Sequence, residues 1–202
     1  MLSRLLFALS RILPLQLFWD LFTPTFYTDH WQHGIYTQHY WLLGIIKPKK
    51  FNRVLEVGCG FGRNLKFLID QGIKPETFTG IDFSQNLLQL AKANLPPQVK
   101  LYPGKAQNLP FPDNYFNLTF THGVLMHLPP NQVNQAFSEL VRVSKKYLAL
   151  VEETVTGTDP VRINNFTWAH DYQALISQHQ LEIVEHTQDT THRLVWYLLK
   201  KP

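Results

Sequence analysis

Three glycines at alternate positions follow a short apolar run in the first half of the chain. The segment is Val-Leu-Glu-Val-Gly-Cys-Gly-Phe-Gly at residues 54–62, and a sequence of helical periodicity follows it. Glycines allow the backbone to turn sharply and to approach a ligand closely at the N-terminus of a helix. Asp82 lies 20 residues beyond Gly62, at the end of the next apolar run, where a carboxylate can accept hydrogen bonds from two ribose hydroxyls. Together the loop and the acid predict a site for a ligand that contains ribose.

A dinucleotide is the competing ligand for such a loop. Its fingerprint is Gly-x-Gly-x-x-Gly, in which the third glycine lets the helix pack closely on the strand. In this chain the third glycine comes one residue early, and Arg63 and Asn64 follow it. The spacing therefore disfavours a nucleotide-dependent oxidoreductase.

Three motifs, in this order, resemble those of the class I S-adenosylmethionine (SAM) dependent methyltransferases, specifically the type-11 group. They are Glu-Val-Gly-Cys-Gly-Phe-Gly at 56–62, Gly-Ile-Asp-Phe-Ser at 80–84 and Asn-Leu-Pro-Phe-Pro-Asp at 108–113. The resemblance implies SAM as the cofactor and methyl transfer as the activity. It also implies a Rossmann-like sheet of seven strands, mostly parallel, with an antiparallel last strand.

The resemblance further implies which residues contact the cofactor. Glu56 and the glycine loop would surround the methionine part, Asp82 would bind the ribose, and Phe83 would lie against the adenine. Lys105 stands where the family usually has an acid, and an ammonium cannot accept a hydrogen bond from the adenine amino group. We therefore expect the backbone near Lys105 or the side chain of Gln107 to make that contact. The expected cofactor-binding residues are Glu56, Gly58, Cys59, Gly60, Gly62, Asp82, Phe83, Lys105, Ala106, Gln107 and Thr121.

Methyl transfer from a sulfonium needs an acceptor placed in line with the methyl group and away from water, and no covalent enzyme intermediate. A general base would assist a hydroxyl acceptor. His122 and His127 flank the end of the fourth predicted strand, where the family places its acceptor pocket, and they are the catalytic candidates. Simple packing is the alternative role for both histidines. The candidates for the acceptor pocket are Trp31, Tyr36, Glu152, His170 and Tyr172.

The residues after the fourth strand bear on the acceptor. Enzymes that methylate amino groups on bases commonly have Asn or Asp-Pro-Pro-aromatic there, whereas this chain has Thr-His-Gly-Val at 121–124. We expect no nucleic-acid partner, and we expect a small-molecule or glycan-precursor acceptor that is methylated at oxygen. A lipid or quinone at a membrane surface is one alternative. A non-catalytic scaffold with the same fold is another, because Lys105 and Asn117 both replace acids that are common in the family.

Length and composition limit the number of domains, the kinds of site and the relation to a membrane that the chain can have. The 202 residues are 45% hydrophobic and 17% charged, which suits one α/β core. A single cysteine excludes an internal disulfide and a multi-cysteine metal site, so we expect no metal centre and a cytoplasmic location. Residues 1–22 predict an amphipathic helix that packs on the domain or makes peripheral contact with a membrane. Arg11 and Pro14 interrupt the roughly 20 apolar residues that a transmembrane helix needs.

Strand and helix patterns alternate from Arg53 onward, which predicts βαβ units and a doubly wound α/β sheet. We expect an N-terminal helical extension or lid over 1–50 and the SAM-binding domain over 51–202. The segment 152–170 is polar and contains Gly157 and Pro160, and we expect a functional loop there. The predicted strands are 54–57, 77–81, 99–102, 116–121, 147–151, 181–184 and 195–199, the last two joined in a hairpin.

Overall fold

A computed structural model describes residues 13–153, 161–164, 167–189 and 194–202, with backbone alone for Trp31, residues 161–164 and Asp189. Strands and helices alternate along most of this length. The strands are β1 (Val54–Val57), β2 (Phe78–Asp82), β3 (Lys100–Pro103), β4 (Phe116–His122), β5 (Ser144–Glu153), β6 (Val161–Asn164), β7 (Thr167–Ala169), β8 (Glu182–Asp189) and β9 (Leu194–Lys200). The helices are α1 (Leu15–Thr28), α2 (Thr37–Lys49), α3 (Arg63–Asp70), α4 (Gln85–Asn94), α5 (Pro130–Val143) and α6 (Tyr172–Gln178), with 3-10 turns at His30–His33, Pro75–Thr77 and Leu125–His127.

The central sheet has seven strands in the order β3-β2-β1-β4-β5-β9-β8. Strands β1 to β5 pair in parallel, and β9 runs antiparallel to both of its neighbours. This order confirms the predicted Rossmann-like fold with an antiparallel last strand. It also brings the carboxyl ends of β1, β2 and β4 to the same edge of the sheet, which is where ligands bind in such folds.

Both faces of the sheet are covered, because successive strand residues point to opposite sides. Leu55 and Val57 of β1 pack in a buried cluster with α5 and α6, whereas Val54 packs in another with α2, α3 and α4. A strand buried on both faces carries a nearly continuous apolar sequence. Glu56 is therefore an exception in β1, and its side chain is completely buried.

Local signals set the limits of several helices. The Ser84 hydroxyl accepts a hydrogen bond from the Leu87 N–H at 3.2 Å and caps α4, and Asp171 caps α6 by accepting from the Ala174 N–H at 3.0 Å. Such caps satisfy N–H groups that have no partner within the helix. Serine and aspartate are residue types that favour this position, so both helix starts are encoded by local sequence.

The polar segment 152–170 differs from its prediction. Strand β5 continues to Glu153, and β6 and β7 pair with each other in a separate antiparallel sheet. The prediction of an irregular loop is therefore wrong over 161–164 and 167–169, while 154–160 and 165–166 lie outside the described residues. The sequence Val-Arg-Ile-Asn of β6 alternates apolar and polar residues, which is a strand signal, although the nearby Gly157 and Pro160 favour a loop.

Helix α1 covers the edge of the sheet where β1 and β2 end. Phe18 and Trp19 are buried in a cluster with Phe61 and Leu87. Asp20 accepts a hydrogen bond of 2.5 Å from the Ser84 hydroxyl, which ties α1 to the start of α4. Residues 1–12 of the predicted amphipathic helix lie outside the described residues. Among the helices that are described, none is long and apolar enough to cross a membrane.

Candidate functional site

The glycine loop turns back on the end of β2. Gly58 and Gly60 have φ angles of 72° and 54°, which are left-handed conformations that favour glycine. The N–H groups of Gly58 and Cys59 both donate to the Ile81 carbonyl, at 2.7 and 3.1 Å. A Cβ at Gly58 would lie 2.3 Å from Cγ2 of Val124, so the loop also passes too close to the segment after β4 for a larger residue. Both the backbone conformation and the close approach require glycine at this position.

Asp82 joins the glycine loop to the start of α4. Its Oδ2 accepts the Gly60 N–H at 2.8 Å, and its Oδ1 accepts the Ser84 N–H at 2.9 Å. Burial raises the pKa of this carboxyl to about 6, although these hydrogen bonds oppose the shift. A carboxylate has about four acceptor positions, so Asp82 can also accept a hydrogen bond from a ligand.

A first cavity of about 350 Å³ opens beside Asp82. Helix α1 closes one side of it with Trp19 and Phe26. Seven of the predicted cofactor-binding residues line this cavity, and they are Gly58, Gly60, Asp82, Phe83, Lys105, Ala106 and Gln107. The other four do not: Cys59 lines the neighbouring cavity, and Glu56, Gly62 and Thr121 line neither.

A second cavity, also of about 350 Å³, lies on the other side of the glycine loop. Arg63, Asn64, Met126 and Glu153 contribute to its wall. The two cavities have six lining residues in common, which are Phe26, Gly58, Gly60, His122, Gly123 and His127. The two predicted catalytic histidines are therefore both at the boundary between the cavities.

His122 is held from behind by a chain of polar side chains. Its Nδ1 lies 3.1 Å from Oδ1 of Asn64, and Nδ2 of Asn64 donates to Oε1 of Glu56 at 2.6 Å. Burial lowers the pKa of His122 well below its ordinary value, and the cation of Arg63 acts in the same direction. The imidazole is therefore neutral at physiological pH. Burial also raises the pKa of Glu56 to about 8, and Oε2 of this carboxyl has no hydrogen-bond partner among the described residues.

His127 differs from His122 in what it contacts. Its ring meets the Trp19 ring edge to face, with 5.0 Å between the centroids. The contact joins the 3-10 turn after β4 to helix α1. His127 thus helps to close the cavities as well as line them.

Three of the predicted acceptor-pocket residues lie behind the segment after β4 and line neither cavity. Glu152 accepts hydrogen bonds from the N–H groups of Val124 at 3.0 Å and Met126 at 3.2 Å. His170 bonds through Nε2 to the Leu125 and Leu128 carbonyls at 3.1 and 3.0 Å. Tyr172 is buried beside them, only 2% exposed. The sequence predicts these side chains at the acceptor pocket, whereas in the structure they support the wall of the cavities from behind.

The remaining two acceptor-pocket candidates are in the N-terminal extension. Tyr36 precedes α2, where its N–H donates to Nδ1 of His39 at 3.0 Å, and it lines neither cavity. Trp31 lies in the 3-10 turn His30–His33, and its side chain is outside the described part of the chain. Glu153, next to the predicted Glu152, lines the second cavity instead.

Asn117, which replaces a common acid of the resembled family, has a structural contact. Its Oδ1 accepts the Arg53 N–H at 3.1 Å and so connects the starts of β1 and β4. An amide oxygen makes this contact as well as a carboxylate does. The replacement therefore gives no support to a non-catalytic scaffold.

Sequence reasoning gave no role to several residues of the site. Arg63 and Asn64 directly follow the glycine loop, and that position at the start of a helix was the available signal. Trp19 and Phe26 had no such signal, because only the packing of α1 brings them over the first cavity.

Comparison with known proteins adds a family to this geometry. A family model described as "Methyltransferase domain" matches residues 54–147. A demethylmenaquinone methyltransferase of Lactiplantibacillus plantarum is 31% identical over 154 residues, which cover 71% of this chain and 64% of the relative. An uncharacterized methyltransferase of Schizosaccharomyces pombe is 36% identical over 107 residues, which cover 48% of this chain and 37% of the relative. The chain thus spans less than two thirds of the length of either curated relative.

Solved structures share the fold over almost the whole chain. Magnesium protoporphyrin IX methyltransferase from Synechocystis PCC 6803, crystallised with bound SAM, superposes with a TM-score of 0.70 at 15% identity, covering 94% of this chain and 98% of that one. The chain belongs to the class I SAM-dependent methyltransferases. S-adenosyl-L-methionine is the cofactor of this methyltransferase family.

The fold alone does not determine the reaction. The cyclase SpnF superposes with a TM-score of 0.71 at 17% identity, covering 96% of the chain. Function must therefore be argued from the site rather than from the fold.

Proposed function

We propose that this chain transfers the methyl group of SAM to an oxygen of a small-molecule or glycan-precursor acceptor. The observation that carries the proposal is the position of His122. A neutral imidazole lies at the boundary between a cavity suited to the cofactor and a second cavity that can admit an acceptor.

The first cavity has the groups that SAM requires. Asp82 retains acceptor positions for the ribose hydroxyls, and Phe83 provides an apolar face for the adenine. Glu56 does not line this cavity, but it lies two residues before Gly58, and its buried Oε2 has no hydrogen-bond partner among the described residues, which suits the amino group of the methionine part. When bound, the cofactor supplies an electrophilic methyl group on a sulfonium.

The chain's own residues would then act on the acceptor. The cavity walls exclude water, and the shared boundary at Gly58 and Gly60 allows the acceptor to approach the cofactor across the glycine loop. His122 is the general base that takes the proton of the acceptor hydroxyl. The lowered pKa keeps the His122 ring neutral, so one ring nitrogen is unprotonated and can accept that proton.

A quinone or lipid acceptor is the second candidate. Several relatives at 31–32% identity have the name demethylmenaquinone methyltransferase. Helix α1 also has two exposed leucines, Leu17 at 44% and Leu21 at 48%, on a surface close to the first cavity. Those apolar side chains suit contact with a membrane surface or an apolar acceptor.

The test is to measure binding first and turnover second. Calorimetry with SAM, its demethylated product and NAD establishes the cofactor, and no SAM binding would overturn the proposal. Release of the demethylated product is then measured with hydroxylated small molecules, glycan precursors and a demethylated quinone. Acceptor-dependent product excludes the scaffold alternative, and the productive acceptor class separates the two catalytic candidates.

A variant tests the base directly. We expect His122→Gln to lower kcat by about 100-fold or more on a hydroxyl acceptor, because a general base typically contributes that much. His179→Gln is the matched control, since His179 lines neither cavity. Full activity of His122→Gln would remove the base from the mechanism and would leave methyl transfer itself in place.

A further inference from the structure

Asn64 occupies the position between a buried carboxyl and the candidate base. It is the second residue of α3 and is only 6% exposed. A side-chain amide has a donor end and an acceptor end that are not interchangeable once one of them is engaged. The orientation of this amide therefore determines which ring nitrogen of His122 carries the proton.

The hydrogen bond to Glu56 sets the orientation of the Asn64 side-chain amide. The Asn64 NH₂ donates to Oε1 of Glu56 at 2.6 Å, and Oε1 accepts this hydrogen bond both in the carboxylate and in the acid form that carries its proton on Oε2. The carbonyl Oδ1 of Asn64 then faces Nδ1 of His122 at 3.1 Å, and a carbonyl can only accept. Nδ1 must therefore be the protonated nitrogen.

We propose that Asn64 is a positioning residue that holds His122 in the Nδ1–H tautomer, which leaves the lone pair on Nε2 for the acceptor proton. Nε2 makes no hydrogen bond within the described part of the chain, and His122 lines both cavities. The catalytic meaning of this tautomer rests on the proposed function, whereas the tautomer itself does not.

The groups around His122 support a neutral ring. Arg63 and His39 both lower its pKa, in addition to burial. The His39 ring lies 5.5 Å from that of His122, centroid to centroid, and its own pKa is lowered to about 4 by burial and by Arg63. No charged form of either histidine competes with the tautomer near neutral pH.

We expect the two neighbouring histidines to have opposite tautomers. Nδ1 of His39 lies 3.0 Å from the Tyr36 N–H, closer than the 3.3 Å to the Tyr36 carbonyl, so the shorter contact favours a His39 that carries its proton on Nε2. Nε2 of the distant His170 lies near two carbonyl oxygens and must also be protonated. His122 is thus expected to differ from both in a single spectrum.

The experiment is nitrogen-15 NMR of the full chain labelled at histidine, at about pH 7.5, without acceptor. In the wild type we expect His122 to show a protonated Nδ1 and an unprotonated Nε2, with His39 and His170 showing the reverse. Assignment uses the loss of one signal set in His122→Gln. If His122 is protonated on Nε2, the proposal is wrong.

Two substitutions separate positioning from packing. Asn64→Leu removes the acceptor, so we expect the ratio of the Nδ1–H to the Nε2–H tautomer of His122 to fall by about tenfold while His170 is unchanged. Asn64→Asp keeps an acceptor at the same place, so His122 should remain Nδ1–H with a raised pKa. Unchanged His122 signals in Asn64→Leu would overturn the proposal. If Asn64→Leu fails to fold, the wild-type and Asn64→Asp spectra still decide it.

Kinetics gives a second readout once an acceptor is known. Asn64→Leu should lower kcat with little change in the KM of the acceptor, and Asn64→Asp should recover part of kcat with the pH profile moved to higher pH. Absence of methyl transfer would refute the proposed function without changing the tautomer result. A wrong tautomer with intact turnover would refute only the role of Asn64.

Discussion

Two loops at the same edge of the sheet are each held by a buried carboxyl. Asp82 accepts two backbone N–H groups at the glycine loop, and Glu152 accepts two at the segment after β4. Burial raises the pKa of Asp82 to about 6 and that of Glu152 to about 7. Yet Asp82 lines the first cavity, whereas Glu152 lines neither cavity and is fully buried. Both carboxyls therefore hold a loop in the same way, but only Asp82 can also contact a ligand, whereas Glu152 supports the cavity wall.

The sharpest test of this contrast is to remove each carboxylate. We expect Asp82→Ala to weaken SAM binding by about 100-fold, near 2.7 kcal/mol, because it loses the ribose contact and the loop anchor together. Glu152→Gln is the matched control and should change SAM affinity by less than about threefold, because the side chain does not face the cofactor. Calorimetric titration measures both. Equal losses of affinity would show that the two carboxyls do not differ in role.

The two loops approach each other closely at Gly58 and Val124. Adding a methyl group at position 58 tests that approach. Gly58→Ala should lower the free energy of unfolding by about 2 kcal/mol, since φ is 72° and the new Cβ would lie 2.3 Å from Val124. Adding Val124→Ala should restore about half of this loss, because it relieves the clash and leaves the unfavourable φ. Chemical denaturation of the single and double variants measures the recovery. No recovery would mean that backbone conformation alone requires the glycine.

The carboxyls beneath the loops also predict a pH dependence of stability. The pKa values of Glu56 and Glu152 are raised to about 8 and 7, so the folded chain keeps protons that the unfolded chain has already released. The stability that these protons confer is therefore lost as pH rises from about 4.5, the pKa of the unfolded carboxyls, to about 7 for Glu152 and about 8 for Glu56. His39 and His122, whose pKa values are lowered, act in the opposite sense below about pH 6.5 and offset the loss there, so the net loss of stability falls between about pH 6.5 and 8.

We expect the free energy of unfolding of the cofactor-free chain to fall by about 1 kcal/mol per pH unit over that window. Glu56→Gln should flatten the part of the curve near pH 8, and Glu152→Gln the part near pH 7. Denaturation midpoints at half-unit pH steps measure this. A flat curve in the wild type would contradict the raised pKa values.

The smallest expected effect concerns the far side of the first cavity. Lys105 lines it where the resembled family usually has an acid, and its side chain is exposed. Lys105→Asp should tighten SAM binding by only about twofold to threefold, because an exposed hydrogen bond contributes little. Lys105→Ala is the control for loss of the cation alone. Identical affinities in both variants would show that no purine contact is made there.

Much of the fold was predictable because its signals are local. The apolar runs of β1, β2 and β4 and the caps at Ser84 and Asp171 depend on residues only a few positions apart. The strand pair β6 and β7 was missed because two short runs between Gly157 and His170 resemble loop sequence. Strand β8 was predicted to end at 184 and continues to Asp189, because pairing with β9 stabilises residues that lack an apolar pattern.

The sequence by itself determined the fold class, the family and the group of residues at the first cavity. This was possible because consecutive parallel strands end at one edge of a sheet, so motifs that follow strands must meet there. Only the tertiary structure decided which buried carboxyl faces a ligand, since Asp82 and Glu152 look alike in sequence. It also decided the contact of Asn64 with His122, which are 58 residues apart, because packing of α3 against β4 brings those side chains together.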